Sequence, residues 1–349
     1  MSAFSFNFFD EQNDRPSIPA EATLTDAAMS LANPHLILPS VAPSAAQEIA
    51  NIARNSQQVQ QVDIPGTHLS FYVRKVVRDS TDNSVVQVAL QRDVLTGVYE
   101  GGFKVWECAI DLIQYLHTHG GNQPWTNATV IEAGCGVGLP AIYALQQNAH
   151  CVYLQDLNVE VLEKSTQPAV ALNARSDDEL VQWCGSGSGS GSNSSTTSDG
   201  GKVHYVAGDW DAWETCCSRE RGSGSQCTGT GAGDAGVDII LSTDTLYAKP
   251  QIEKLTRLLH RLLRKAPPKS LTGTNLLPSP CAYIAAKRYY FGTDGGTFTF
   301  EQVLQTMPPV IDPASGIALL LRAKKVHSIN DNASNIRDIL QVTWERVKS

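Results

Sequence analysis

Three observations predict an α/β fold of the doubly wound kind, with a mostly parallel seven-stranded sheet finished by an antiparallel hairpin. Short apolar strand patterns alternate with amphipathic helical patterns through the middle of the chain, as parallel βαβ units require. One strand pattern runs into a glycine-rich turn that opens a helix, VIEAGCGVGLPAIYAL at 130–145. Two strand-like runs follow each other at the end, 317–326 and 338–347, joined by the polar turn SINDNASN.

Taken in order, residues 1–60 read as an irregular arm, with Pro16, Pro19, Pro34, Pro39 and Pro43 spread among small polar residues. Its aromatic opening, FSFNFFD, reads as a segment docked on a neighbouring surface or as a binding motif. Residues 61–100 read as a β-hairpin lead-in, with strands at 68–77 and 84–90 around a polar STDN break. The main domain spans 101–349. Its first helix is predicted at 103–116 from apolar residues at i, i+3, i+4 spacing. Strands follow at 129–133, 151–155, 203–207, 237–242 and 281–286, with helices at 139–148, 159–173, interrupted at Pro168, and 250–265. Insertions at 185–201, 219–236 and 266–280 interrupt the pattern; the first two are mostly Gly, Ser and Thr and read as flexible loops without chemistry.

With 27 basic and 35 acidic residues the formal net charge is -8, which does not mark a general binder of nucleic acid or anionic membrane. No stretch approaches the roughly 20 apolar residues of a bilayer span, and the start lacks a signal-peptide pattern, so the expectation is a soluble intracellular protein. The eight cysteines form no CxxC pair and no zinc-ligand spacing with histidine, so no metal is expected. Cys135, inside the glycine turn, has no His or Asp placed in sequence to activate it and reads as an inert thiol.

The glycine turn carries Gly134, Gly136 and Gly138, where the backbone can turn sharply and approach a ligand closely. A dinucleotide GxGxxG would need glycine at 139, where Leu139 stands. Glu132, two residues before the first glycine, would repel a pyrophosphate and suits a ligand's ammonium group. VYLQDLN then places Asp156 at the end of the second strand, where a carboxylate accepts from both hydroxyls of a ribose. GDW after the third strand offers Asp209 to an adenine amino group and Trp210 to its ring. Either aspartate alone would also serve as a turn or helix cap. Open parallel sheets direct all these strand ends to one crevice.

LTGVYEGGFKVWECAIDLIQYL, VIEAGCGVGLPAI, LQDLN, GDW, DIILSTDTLY and YFG, in this order, resemble the histidine protein methyltransferase family within the seven-strand methyltransferases, over roughly residues 95–296. That resemblance implies transfer of a methyl group from S-adenosylmethionine to an imidazole nitrogen, the tele nitrogen, of a protein, with ribosomal large-subunit protein L3 as acceptor and cytoplasm and nucleus as compartments. Carried over residue by residue, it implies that Val105, Trp106, Glu107, Cys108, Ala109, Gly134, Gln155, Asp156, Leu157, Gly208, Asp209, Trp210 and Thr243 line the cofactor site. The family commonly has glutamate where Asp244 stands here, and the glycine-rich run after YFG is TDGG.

STDTLY follows the fourth strand, which sets Asp244 and Tyr247 over the crevice as candidate catalytic residues. Asp244 would accept the proton of the far imidazole nitrogen; the alternative is a cap on the following helix, with Tyr247 packed beneath. Trp106 suits either a cofactor-contacting wall or plain core, and RYYFGTDGG reads as a substrate rim. Two other functions compete: a protein-lysine methyltransferase of the same superfamily, and a non-catalytic S-adenosylmethionine-binding assembly factor for a ribosomal protein.

Overall fold

The computed structural model describes residues 36–38, 47–48, 51, 58–75, 84–89, 94–95, 98–119, 125–184, 202–212, 236–265, 279–312, 315–332 and 335–347. The segment FSFNFFD lies outside them, and so do the three insertions apart from Gly236, Ser279 and Pro280.

The chain runs β1 (Leu36–Leu38), β2 (Val59–Asp63), β3 (Ser70–Arg74), α1 (Ser84–Ala89), α2 (Glu107–His119), β4 (Thr129–Ala133), α3 (Leu139–Gln146), β5 (Cys151–Asp156), α4 (Val159–Val161), a π-turn (Leu162–Thr166), α5 (Gln167–Asn173), α6 (Asp177–Cys184) and β6 (Val203–Ala207). It continues with β7 (Ile239–Thr243), α7 (Lys249–Leu262), β8 (Cys281–Lys287), α8 (Thr297–Gln305), β9 (Val310–Ile311), β10 (Ala318–Ile329) and β11 (Arg337–Arg346). Apart from a separate β2–β3 ribbon, the strands form one sheet in the order β1-β6-β5-β4-β7-β8-β11-β10-β9.

Strands β6, β5, β4, β7 and β8 are parallel, while β11, inserted between β8 and β10, is antiparallel to both. These seven strands are the predicted doubly wound sheet with its terminal hairpin, the class I methyltransferase arrangement. Two short edge strands, β1 and β9, extend it. The chain starts at β4 in the centre, builds outward through β5 and β6, then crosses back to β7 and β8, so the topological switch lies between β4 and β7. Alternate residues serve two cores: Val130 packs on one face and Ile131 and Ala133 on the other.

Of residues 84–90, expected as a strand, Ser84–Ala89 form α1 instead, and residue 90 lies outside the described residues. Val85, Val86 and Ala89 share one helical face that packs with Tyr99, Phe103 and Val161, and that burial overrides the β preference of the valines. The lead-in ribbon pairs β2 with β3, joined through a turn at Gly66. The helix expected at 103–116 begins only at Glu107, because Phe103 is drawn into the α1 cluster. Pro168 does not break its helical run; the preceding residues widen into the π-turn, which accommodates the missing N–H donor. Among the described residues no helix is long and apolar enough to cross a membrane, and no group of three or more His, Cys, Asp or Glu is placed to hold a metal ion.

One buried ion pair joins the terminal hairpin to α2. The Arg337 Nε donates to Asp111 at 2.5 Å, and its Nη2 reaches Asp331 at 3.1 Å. Both Arg337 and Asp111 are buried. Arg337→Met is expected to cost about 3–5 kcal/mol in denaturant unfolding, because it leaves the Asp111 charge without its cation. Adding Asp111→Leu should restore most of that loss; a single variant as stable as the wild type would show that the pair does not hold the hairpin to α2.

Candidate active site

A cleft open to solvent lies over the C-terminal ends of β4, β5, β6 and β7. Its wall is completed by residues of the GVYEGG segment and by α7. Gly134, Gly136 and Gly138 all line it, and all three have left-handed backbone, with φ of 66°, 52° and 84°. At 136 a side chain would also be crowded, since a Cβ there would stand 3.0 Å from the Gly102 carbonyl oxygen. A Cβ at Gly102 would in turn meet Val161 at 2.7 Å. The two glycines thus let GVYEGG fold down onto the turn.

Gln155 and Asp156, at the end of β5, hold that turn. The Gln155 carboxamide oxygen accepts from Gly134 N–H at 3.0 Å and from the Trp210 indole at 2.6 Å, and its nitrogen donates to Gly208 O at 2.7 Å. Asp156 accepts from the N–H groups of Gly136 at 2.9 Å and Asn158 at 3.1 Å. Burial pushes the Asp156 carboxyl up to about 6; the backbone donors pull it down, and the neighbouring Glu100 charge adds to the rise. Leu157, Gly208, Asp209, Trp210 and Thr243 line the same cleft.

Glu132 does not. It is fully buried beneath the turn, and its Oε2 accepts from Ala141 N–H at 2.8 Å in the first turn of α3. The α3 cap is Gly138, which has no side chain to offer, so a carboxylate from the strand meets that donor instead. The expectation of an ammonium ligand at Glu132 is therefore replaced by a capping role, and burial raises its carboxyl well above the usual range. Asp209 is held by Lys254 of α7 at 2.5 Å, and its other oxygen accepts from Asp211 N–H at 2.9 Å. Cys135 is buried; burial first, then the charges of Asp156 and Glu132, raise its thiol well above normal, against a nucleophilic role.

Of the VWECA segment, Val105, Trp106 and Ala109 line the cleft. The Trp106 indole donates to Gly101 O at 3.0 Å, and the Lys104 ammonium sits 4.7 Å from its ring centre. Cys108 is buried in the core, and Glu107 is turned toward Lys287 and Arg337, at 3.9 and 3.8 Å. Asp244 and Tyr247 both line the cleft. Asp244 has a left-handed φ of 54° and caps a helix, but not the one that follows it: its Oδ2 accepts from Cys108 N–H, at the start of α2, at 3.1 Å. Its Oδ1 accepts from the Tyr290 hydroxyl at 2.9 Å. Burial, reinforced by Glu100, raises the Tyr247 phenol, so it stays protonated.

Sequence reasoning missed Glu100, Lys254 and Tyr290. Glu100 lines the cleft and accepts from Gln251 at 2.6 Å; it stands inside GVYEGG, one of the segments that carry the resemblance, which was the available signal. Lys254 carried none, being one polar residue on an amphipathic helix. In RYYFGTDGG, Gly295 packs on the Leu246–Tyr247 backbone, where a Cβ would come within 2.3 Å, and Asp294 accepts from Lys249 N–H at the start of α7. That loop is thereby moulded onto the cleft edge, with Phe291 88% exposed beside it.

No family model matches the chain. It is 32% identical over 251 residues, 72% of its length, to the Dictyostelium discoideum histidine protein methyltransferase 1 homolog, covering 60% of that protein. It is 29% identical over 214 residues to the Bos taurus homolog, covering 61% of this chain and 50% of that one. The chain thus spans about half to three-fifths of the length of these relatives. Among solved structures, magnesium protoporphyrin IX methyltransferase from Synechocystis with bound SAH is 13% identical, with TM-score 0.37, over 67% of this chain and 81% of that one. By sequence, the chain is similar to histidine protein methyltransferases over 72% and 61% of its length in these two comparisons.

Proposed function

We propose that the chain transfers a methyl group from S-adenosylmethionine to a histidine imidazole nitrogen of a protein. The observation that carries this reading is that Asp156 and Asp244 line one cleft from opposite sides of β4, one tied to the glycine turn and the other to the start of α2. Such a cleft suits a cationic ligand bearing a ribose. It lacks the dinucleotide glycine pattern, because Leu139 stands where GxGxxG needs its third glycine.

Asp156 would take the ribose hydroxyls, Trp210 and the Gly208–Asp209 backbone the adenine, and the Gly134–Gly138 turn the amino-acid end. When bound, S-adenosylmethionine supplies a sulfonium methyl that an imidazole nitrogen takes up with its lone pair. Neutral imidazole, with an ordinary pKa of about 6.5, needs no strong base, so the protein's task is alignment. Asp244 accepts the N–H of the far ring nitrogen, which selects the tautomer and stabilises the cation formed on the ring. Ribosomal protein L3 as acceptor, the tele nitrogen as target, and residence in cytoplasm and nucleus complete the proposal, resting on the family resemblance alone.

Radiolabelled S-adenosylmethionine, added with the protein to an extract from cells lacking it, should place label in methylhistidine after acid hydrolysis. The rate should level off above about pH 7.5, where imidazole is neutral, and Asp244→Asn should lower kcat roughly a hundredfold. Label in methyllysine, with a rate still climbing toward pH 10, would replace the acceptor by lysine. Absence of label together with tight cofactor binding would favour a binding factor.

Asp156 gives an independent check. Its carboxylate is the form that accepts from the ribose, and its proton leaves at about pH 6. S-adenosylmethionine affinity measured calorimetrically should therefore rise as pH increases from 5 to 7 and flatten above that, with the rise absent in Asp156→Asn. An identical pH response in that variant would remove Asp156 from the binding site.

A further inference from the structure

Tyr290 stands outside the cleft lining among the described residues, yet it makes one of the two hydrogen bonds that hold the Asp244 side chain. Its hydroxyl oxygen accepts from Lys287 N–H at 3.4 Å, so its own proton is directed at Asp244 Oδ1, 2.9 Å away. Burial, followed by the charge of Asp244, raises the phenol well above its ordinary range, so it remains a donor at every working pH. The opposite carboxylate oxygen is fixed by Cys108 N–H at the positive end of α2. A carboxylate gripped at both oxygens, on a residue with left-handed backbone, has little freedom to turn.

We propose that Tyr290 is a positioning residue for methyl transfer, acting through Asp244 to set the carboxylate that orients the acceptor ring. This rests on the role of Asp244 given above. The adjacent Tyr289 and Phe291 are exposed whereas Tyr290 packs against the core of the sheet, so this tyrosine is distinguished from its aromatic neighbours by where it is held. Tyr290→Phe keeps the ring and its packing and removes the hydroxyl, and with it the long bond from Lys287 N–H and the bond to Asp244. The bond acts on the orientation of the acceptor rather than on its capture. Its loss therefore lowers kcat and kcat/KM together and leaves cofactor affinity alone.

The test compares Tyr290→Phe with the wild type, using radiolabelled S-adenosylmethionine and total protein of an extract lacking the enzyme as acceptor. Initial rates are taken at increasing extract concentration, alongside calorimetric titration with S-adenosylmethionine and thermal melting. The expected result is a kcat lower by roughly tenfold, with unchanged half-saturating extract, cofactor Kd and melting temperature. An unchanged kcat would overturn the proposal. A loss of cofactor affinity or melting temperature that accounts for the fall in rate would also overturn it, by showing a purely structural tyrosine. Identification of the labelled amino acid is read separately: methyllysine in the wild type sinks the histidine acceptor, while the ratio of variant to wild type still decides Tyr290. A wild type that labels nothing overturns both.

Discussion

The cleft depends on the end of β5 holding a turn that could not hold itself. Three glycines in left-handed conformation give the chain after β4 its sharp bend, and each carries the entropy cost of an unrestricted residue. Gln155 and Asp156 meet that turn with side-chain bonds to Gly134 and Gly136, and the Gln155 carbonyl accepts from Cys135 N–H at 2.7 Å. Three consecutive backbone donors are thus satisfied from one strand end. Because the same carboxamide also binds the Trp210 indole and the Gly208 carbonyl, the loops after β4 and β6 are set in relation to each other through β5. A ligand entering between them meets donors and acceptors already in place, with little reorganisation left to oppose binding.

The acidic residues divide the work in a way that strand-end position alone cannot reveal. Glu132, Asp156, Asp209 and Asp244 all fall at or near the C-terminal ends of parallel strands, which is why sequence reading brought them to one crevice. What separates them is the partner each finds. Glu132 meets the start of α3, Asp209 meets Lys254, Asp244 meets the start of α2, and only Asp156 is tied to the glycine turn. The Asp244 bond joins residues 136 positions apart, and the Lys254 bond joins a helix to a loop 45 positions earlier. Neither leaves a trace in local spacing.

The fold was legible where periodicity had length to act. The five parallel strands and the terminal hairpin come within a few residues of their expected bounds, because buried β-branched runs between helices have few other uses. It was illegible where elements were too short or where tertiary burial reversed a local preference. β1 and β9 have three and two residues, below the length at which alternation can be seen. α8 opens with TFTF, a strand-like composition made helical by the turn at Gly296 and by burial of Thr297 and Phe300. α1 is the same case, with Val85 and Val86 turned to a core that also takes Tyr99 and Phe103.

Asp244 is where fold and chemistry constrain each other most closely. A non-glycine residue at φ 54° carries a strain of roughly 1–2 kcal/mol, which the surroundings must offset. They do so with three hydrogen bonds from three separate elements: its N–H to Ala285 O of β8, and its two carboxylate oxygens to α2 and Tyr290. Glycine would relieve the strain but would give α2 no cap and the cleft no carboxylate. Asparagine tolerates the same backbone and would keep the shape, but it brings no charge to meet a developing cation. The backbone strain and the charge are therefore explained together by a carboxylate that must reach into the cleft from the end of β7, and a capping role alone would not require it to line the cleft.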